Sequence, residues 1–507
     1  MAQTPLASLP AVSSPPDLIH LLQSNDPPQE SQIPLIRDII SDDKNRIILM
    51  DAEIISLETQ IHNLNANLAQ SLQKRNDAAV HAHQHRSILS PIRRVPPELI
   101  REIFELLHDV KAGTRPPWYF GHISRSWRHT ALSFKQLWSF IVVGSPPSAK
   151  SEALVASIEA QLQRSAHVPL DIYFPDVRGE MDSRVLDLVL PHCNRWRSLC
   201  LDRRTRLHEY NVVLDWLRPV EGHLDQLVKL ETRHYGITIP DIFSTTPRLR
   251  EVVLTNNRLD ESSSSIVIPW QRITHYRGTF SSERQLQTLT VAPRLVECTL
   301  GFRGALDLVP PITATLPNLR RLSLDMHTAV QNITAPVLED LILFSSTRRE
   351  LSWILPFLPP CSSTLRRLAL RQSTICLELI PVLRALPLLA HLVLEYDSGS
   401  NAAQTDFFTA LSTTDATSDS FVCPNLTSFV YGYRFRGRSS EVAFFAMAAS
   451  RFRPNSNGYR PLLCLRLYAA RYTPDDIQIK LLQDQGFDAA FLDEREAQLL
   501  SDNMFVF

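Results

Sequence analysis

The chain has 507 residues, 44% of them hydrophobic and 21% charged, too long for one ordinary domain and apolar enough for a large core. A formal net charge of −1 supplies no basic excess for nucleic acid or an anionic membrane, and no acidic tail. With 14 glycines against 35 prolines, phosphate-cradling glycine turns are not expected, and prolines should punctuate many short elements.

The other composition signals point the same way. Seven cysteines (Cys193, Cys200, Cys298, Cys361, Cys376, Cys423 and Cys464) form no C-x-x-C pair. They read as reduced, buried thiols of a cytoplasmic or nuclear protein. The first basic residue is Arg37, so a secretory signal is not expected. No apolar run approaches the ~20 residues of a membrane helix.

Residues 1–34 hold seven prolines and little periodicity, which predicts a mostly disordered stretch. A heptad-patterned helix is expected over 35–88. In it Ile47, Met50, Ile54, Leu57, Ile61, Leu64 and Leu68 alternate steps of three and four, the spacing of an a/d seam. Two readings stay open: an amphipathic helix packed on its own domain, or a short coiled coil that makes a homodimer.

Residues 90–143 read as three short helical pieces. Pro96 and Pro97 suit a helix entry, and Glu98 suits the positive end of the helix dipole. Leu99, Ile103 and Leu107 then recur at i+4 beside Ile100, Phe104 and Leu106. That leaves nearly half the helix surface apolar, one face for home and another for a partner. HDVKAGTRPPW reads as a loop, Phe120, Ile123, Trp127 and Ala131 as a second stripe, and Leu137, Trp138 and Ile141 as a third element.

From 165 to 480 the unit L-x-x-L-x-L recurs. It starts at Trp196, Leu224, Leu249, Ile273, Leu295, Leu319, Leu338, Leu365, Leu389, Leu426 and Leu462, with VPLDIYF at 168–174 as an earlier strand. The steps run from 19 to 28 residues, then 37 and 36, mostly near the ~20–29 residues of leucine-rich repeats; the last two imply inserted loops. The L-x-L pair alternates at period two, so both leucines face one way from a short strand. No unit can bury that face alone, and stacking makes one core. Helix-like stretches such as LELIPVLRAL lie between strands. Prolines (247, 293, 317, 336, 387, 424) stand two residues before the unit and should stop the preceding helix. Residues 481–507 remain as a tail or cap. The fold class expected is thus α+β and multi-domain, ending in an irregular α/β leucine-rich-repeat solenoid.

Residues beside the strand leucines should line the sheet's open face. They include Glu251, Val253, Arg321, Ser323, Asp340, Arg367, Arg371 and His391. Their mixed charge suits a protein target. No nucleotide, zinc-protease or serine-hydrolase motif is present, so no enzyme, cofactor or metal is expected. In HAHQHR, His81 and His85 share a helix face, but no third and fourth ligand stand nearby.

The run PIRRVPPELIREIFELL, followed by ISRSWRHTALSFKQLWSFIVV, resembles the F-box domain in its fungal form. The matching residues are Val95, Pro96, Glu98, Leu99, Ile103 and Phe104, then Ile123, Ser124, Trp127 and Arg128, then Leu137, Trp138 and Ser139. Val95, Ser124 and Lys135 depart from the usual leucine, cysteine and proline. The heptad helix upstream and the repeats downstream look like the rest of a fungal F-box protein with leucine-rich repeats. The resemblance implies docking on a Skp-type adaptor and, through it, a cullin. Val95, Pro96, Leu99, Ile103, Ile123 and Trp127 would form the docking surface or its support, with Trp127 either contact or core. It implies a substrate-recognition subunit of a ubiquitin ligase; the alternative is a non-ligase repeat scaffold with a structural F-box-like unit.

Overall fold

A computed structural model describes residues 15–109, 117–144, 151–175, 177, 181–202, 212–234, 237–256, 266–280, 282–302, 313–324, 331–344, 351–371, 379–395, 400–412, 422–432, 437–452, 460–468, 476–484 and 486–492. The chain divides into two compact units, Met1–Val95 and Pro96–Phe507.

In the first unit, helix α1 (Pro16–Gln23) lies in the stretch expected to be disordered. The seven prolines hide a short apolar run, and Pro16 sits at the helix start, where its missing N–H costs nothing. Helix α2 spans Ile33–Ile88, 56 residues, with proline again in its first turn. None of its residues is buried. The seven seam side chains are 38–66% exposed, so its own unit does not cover the seam.

The second unit begins with helix α3 (Pro97–Asp109), which extends two residues into the expected loop. A 3-10 turn (Pro117–His122) and helix α4 (Arg125–Ser133) follow. Helix α5 (Ser151–Ser165) fills a stretch the sequence reading left unassigned. Its Ile158 and Leu162 join the sheet core.

The rest is built on one parallel sheet of 14 strands whose spatial order follows the chain. Its strands are β1 (Phe140–Val142), β2 (Leu170–Phe174), β3 (Trp196–Asp202), β4 (Lys229–His234) and β5 (Glu251–Asn256). Next come β6 (His275–Phe280), β7 (Glu297–Phe302), β8 (Arg321–Leu324), β9 (Asp340–Phe344) and β10 (Arg367–Arg371). The last are β11 (His391–Glu395), β12 (Ser428–Gly432), β13 (Cys464–Tyr468) and β14 (Asp488–Leu492). Every L-x-x-L-x-L unit leads into one of these strands. The sheet also runs past both expected limits, 165 and 480. Phe140–Val142 and Asp488–Leu492 lack the leucine pair, so the repeat pattern does not mark them.

The register makes the core explicit. Leu199, Leu230, Val252, Tyr276, Cys298, Leu322, Leu341, Leu368, Leu392, Phe429 and Leu465 align across neighbouring strands. All are buried. The second leucine of each pair forms a parallel row two residues on. The junctions repeat as well. From Val228 to Thr427, one carbonyl before each strand accepts two successive N–H groups of the next, as Val296 O does from Arg320 and Arg321 and Arg366 O from Ala390 and His391. The proline carbonyls are also used. Arg272 donates to Pro247 O, Asn318 to Pro293 O, Thr364 to Pro336 O and Asn425 to Pro387 O. The prolines thus link units; Pro293 and Pro387 also follow helices (Ser282–Thr290 and Leu379–Arg384), whereas Pro317 and Pro336 follow the two-residue strands Ala314–Thr315 and Ile333–Thr334 rather than a helix they could stop.

Helices α6 (Ser183–Val189), α7 (Ser282–Thr290) and α8 (Leu379–Arg384) lie between strands, and the two long steps, read as inserted loops, carry helices α9 (Asn401–Leu411) and α10 (Arg438–Phe452). Between them in sequence lies β12. Phe408, Tyr431 and Phe444 meet edge-on or stacked at 5.1–5.5 Å. Arg451 is 1% exposed. It donates to Leu411 O, Cys423 O and Val422 O at 2.5–2.9 Å, satisfying the end of α9 and the turn into β12. Arg451→Met leaves three buried carbonyls short of a donor and should cost at least about 3 kcal/mol. The urea midpoint should fall accordingly, while Arg438→Met on the exposed side of α10 should change it by less than about 0.5 kcal/mol.

Candidate functional site

Two surfaces qualify. The first is helical. Residues 100 and 104 lie on the inner side of α3, where Ile100 is 1% and Phe104 0% exposed. Phe104 packs against Phe120 at 4.8 Å, Trp127 at 5.6 Å and Phe134 at 6.2 Å. Ser124 caps α4 by accepting the Trp127 N–H at 3.2 Å, so its hydroxyl does work that cysteine would do poorly. The Trp138 indole N–H donates to Ala131 O at 2.7 Å, and the Arg164 guanidinium lies 4.4 Å over its ring, tying α5 to this aromatic core.

The neighbouring face of α3 is open. Leu99 is 49% and Leu106 69% exposed, with the half-buried Ile103 between them. Spacings of four and three put these side chains in one stripe. Ile123, just before α4, is 43% exposed. Pro96 is exposed and Val95 half-buried. Trp127 is 6% exposed, which decides between its two readings: it is core, a support beneath the surface. Leu106 was absent from the anchor residues expected, although its place three residues after Ile103 signals it. The side chain of Leu107 lies outside the described residues.

The second surface is the sheet's open face. Glu251, Arg321, Asp340, Arg367 and His391 all stand in one register row. Arg371 stands four residues further along its strand, its guanidinium 4.6 Å over the Phe344 ring. The row is an alternating ion ladder. Arg321 reaches Glu297 at 2.8 Å and Asp340 at 3.3 Å, and Arg367 reaches Asp340 at 3.3 Å. His275 lies 3.8 Å from Glu297, and Lys229 3.7 Å from Glu251. Lys229, His275 and Glu297 were missed, yet His275 and Glu297 hold the same offset in their repeats as Arg321, and Lys229 opens its strand as they do.

These charges are engaged with one another, which sets the chemistry of the row. Asp340 is 3% exposed. Burial raises its pKa above the ordinary value, although Arg367 and Arg321 pull the other way. Burial, and then Arg367, lower the pKa of His391. Beside this row, Ile342, Ala369, Val393 and Val430 align on the same face as a small apolar cluster with Phe344 against it. The open face is therefore charged along one row and apolar along part of the next.

Among the described residues no group of three metal-binding side chains occurs. The His85 Nδ1–H donates to His81 O at 2.9 Å within the helix. Burial pushes the Cys361 thiol up to about 11 and Cys423 to about 12, so both stay protonated at neutral pH. No helix among the described residues is long and apolar enough to cross a membrane. No protein-family model matches the chain, and no curated protein matches it.

The histidine gives a pH test. Its folded pKa lies below the ordinary 6.5, so the unfolded chain binds the proton more tightly. Its contribution to stability is then complete above pH about 6.5 and is lost as pH falls from there through the lowered folded value. His391→Gln should flatten this part of the slope of urea stability against pH between about 5 and 6.5. The same-signed contribution of His192 should remain.

Proposed function

We propose that the chain is a substrate-recognition subunit of a Skp–cullin–F-box ubiquitin ligase. In this reading residues 90–143 form the F-box, and the parallel sheet with its connecting helices is a leucine-rich-repeat solenoid. One observation carries it: a short helix turns Ile100 and Phe104 into an aromatic core and leaves Leu99, Ile103 and Leu106 outward in a stripe. An apolar stripe with anchors one turn apart is what helix-in-groove docking uses. The resemblance at Pro96, Leu99, Ile103, Ile123 and the Leu137–Trp138 pair names the partner class, a Skp-type adaptor.

The repeated carbonyl junctions, sequential strand order and near-constant step support the solenoid reading. The strand face then serves as the target-binding surface. Its engaged ion row would define register and orientation more than affinity, while Ile342, Ala369, Val393, Val430 and Phe344 supply apolar contact. The subunit itself has no bond to make or break. It raises the effective concentration of a held target near the charged ubiquitin carrier.

The docking step is directly testable. The full chain should co-purify with a co-expressed Skp-type adaptor and, in turn, with cullin. Leu99→Asp combined with Ile103→Asp should weaken adaptor binding at least about 100-fold, since two central anchors are each worth roughly 2 kcal/mol or more. Neither side chain belongs to the buried core, so the variant's urea midpoint should stay put. Undiminished capture by the double variant would remove the docking assignment. Adaptor capture without cullin would favour a non-ligase scaffold.

A further inference from the structure

Helix α2 has a seam that none of the described residues buries. It is 56 residues long, about 84 Å at the helical rise of 1.5 Å per residue. The alternating steps of the seam define a register along the whole helix. The a positions are then Ile33, Ile40, Ile47, Ile54, Ile61 and Leu68, and the d positions Ile36, Asp43, Met50, Leu57 and Leu64. Over residues 47–64, β-branched isoleucine at a with Met and Leu, which carry no branch at Cβ, at d is the pattern that favours two parallel strands. Between residues 47 and 68 no seam position is polar. Ser71 and Arg75, at the next d and a positions, end the run.

Exposure and area agree with a missing partner. Ile47, Ile54, Leu57, Ile61, Leu64 and Leu68 are each 50–66% exposed, unlike the near-complete burial of leucine in the sheet. Covering these side chains on two helices removes on the order of 1,000 Å² from water, within reach of a specific interface.

The flanking charges are consistent with this register. In a parallel pair, Arg46 at g faces Asp51 at e of the other helix, five residues on, and Gln60 faces Asn65. Glu53 and Glu58 make one like-charge pair, so the apolar seam rather than the flanks dominates. Asp43, the one acid at a d position, already has Arg46 at 3.9 Å on its own helix.

We propose that α2 pairs, parallel and in register, with α2 of a second copy of this chain. The pairing depends on α2 alone and stands whether or not the adaptor reading does. The full chain at micromolar concentration should sediment at twice its 57.6 kDa mass. Leu57→Asp plus Leu64→Asp should return it to one chain mass. Both side chains are exposed in the single chain, so the urea transition of residues 96–507 should be unchanged. Met50→Cys, at a d position away from the middle of the seam, should cross-link to its own copy under mild oxidation; the parent, with its native thiols, should not. A parent chain of single mass overturns the proposal, and so does a mass of three chains or a dimer that survives both aspartates. A dimer in which Met50→Cys fails to cross-link overturns the parallel arrangement.

Discussion

The second unit depends on one constraint: a short strand with two leucines on one side cannot bury them by itself. The only lasting solution is for the next strand to pair alongside, in register, with its own leucines on the same side. Every other regularity follows. The step length is set by the chain needed to return to the strand start. The carbonyl before each strand holds two N–H groups of its successor, which fixes where that return ends. The prolines occupy turn positions whose carbonyls the neighbouring unit's side chains can reach.

The same constraint explains how the helical piece is joined to the sheet. A stack of strands must begin somewhere, and its first strand has an edge that needs delivery. Here Phe140–Val142 supplies it, two residues after Trp138 closes the aromatic core around Phe104. Ile141 is fully buried in the sheet core, and Asp171 of β2 donates its N–H to Ser139 O. On the other side, α5 brings Arg164 over Trp138 and Ser165 to the Arg195 guanidinium. The helices around Phe104 and the strands therefore share a segment rather than a linker. The proximity mechanism proposed above would need such stiffness, because a held target gains effective concentration only while the spacing is maintained.

Much of this was legible in the residues. Period-two leucine pairs placed their strands, and the α2 seam placed a helix within two residues of its start. What stayed hidden was hidden for physical reasons. Phe140–Val142 and Asp488–Leu492 are end strands, with one neighbour each and no need for the leucine pair. Helices α9 and α10 bury phenylalanines and Arg451 behind the sheet, and their mixed composition carries no clean 3.6-residue period. Helix α1 sat inside a proline-rich stretch whose composition outweighed its two apolar turns. On helix α3 the i+4 pattern of Leu99 and Ile103 points to Leu107, whose side chain lies outside the described residues, while the exposed Leu106 extends the stripe at i+3. Trp127 could not be assigned from spacing, because a contact and its support occupy the same stripe. On the open face, one register row collected five of the eight expected residues, but pairing between strands, which no single repeat encodes, turned those charges toward each other.

Burial elsewhere gives the exposed apolar residues their meaning. Across the sheet, leucine after leucine is 0–5% exposed, so the chain does cover apolar surface where its fold provides the means. Scattered exposed leucines are ordinary on any protein. Ordered ones are not. The stripe on α3 and the seam on α2 each repeat at helical spacing, and each lies on a helix that is otherwise well formed. They differ in kind. The stripe is about two turns on a helix already anchored by Phe104, the geometry of a knob offered to a groove. The seam spans three heptads on a helix with no core of its own, the geometry of one half of a pair. A helix this long with no buried residue draws nothing from tertiary packing, and a partner along the seam is what supplies it.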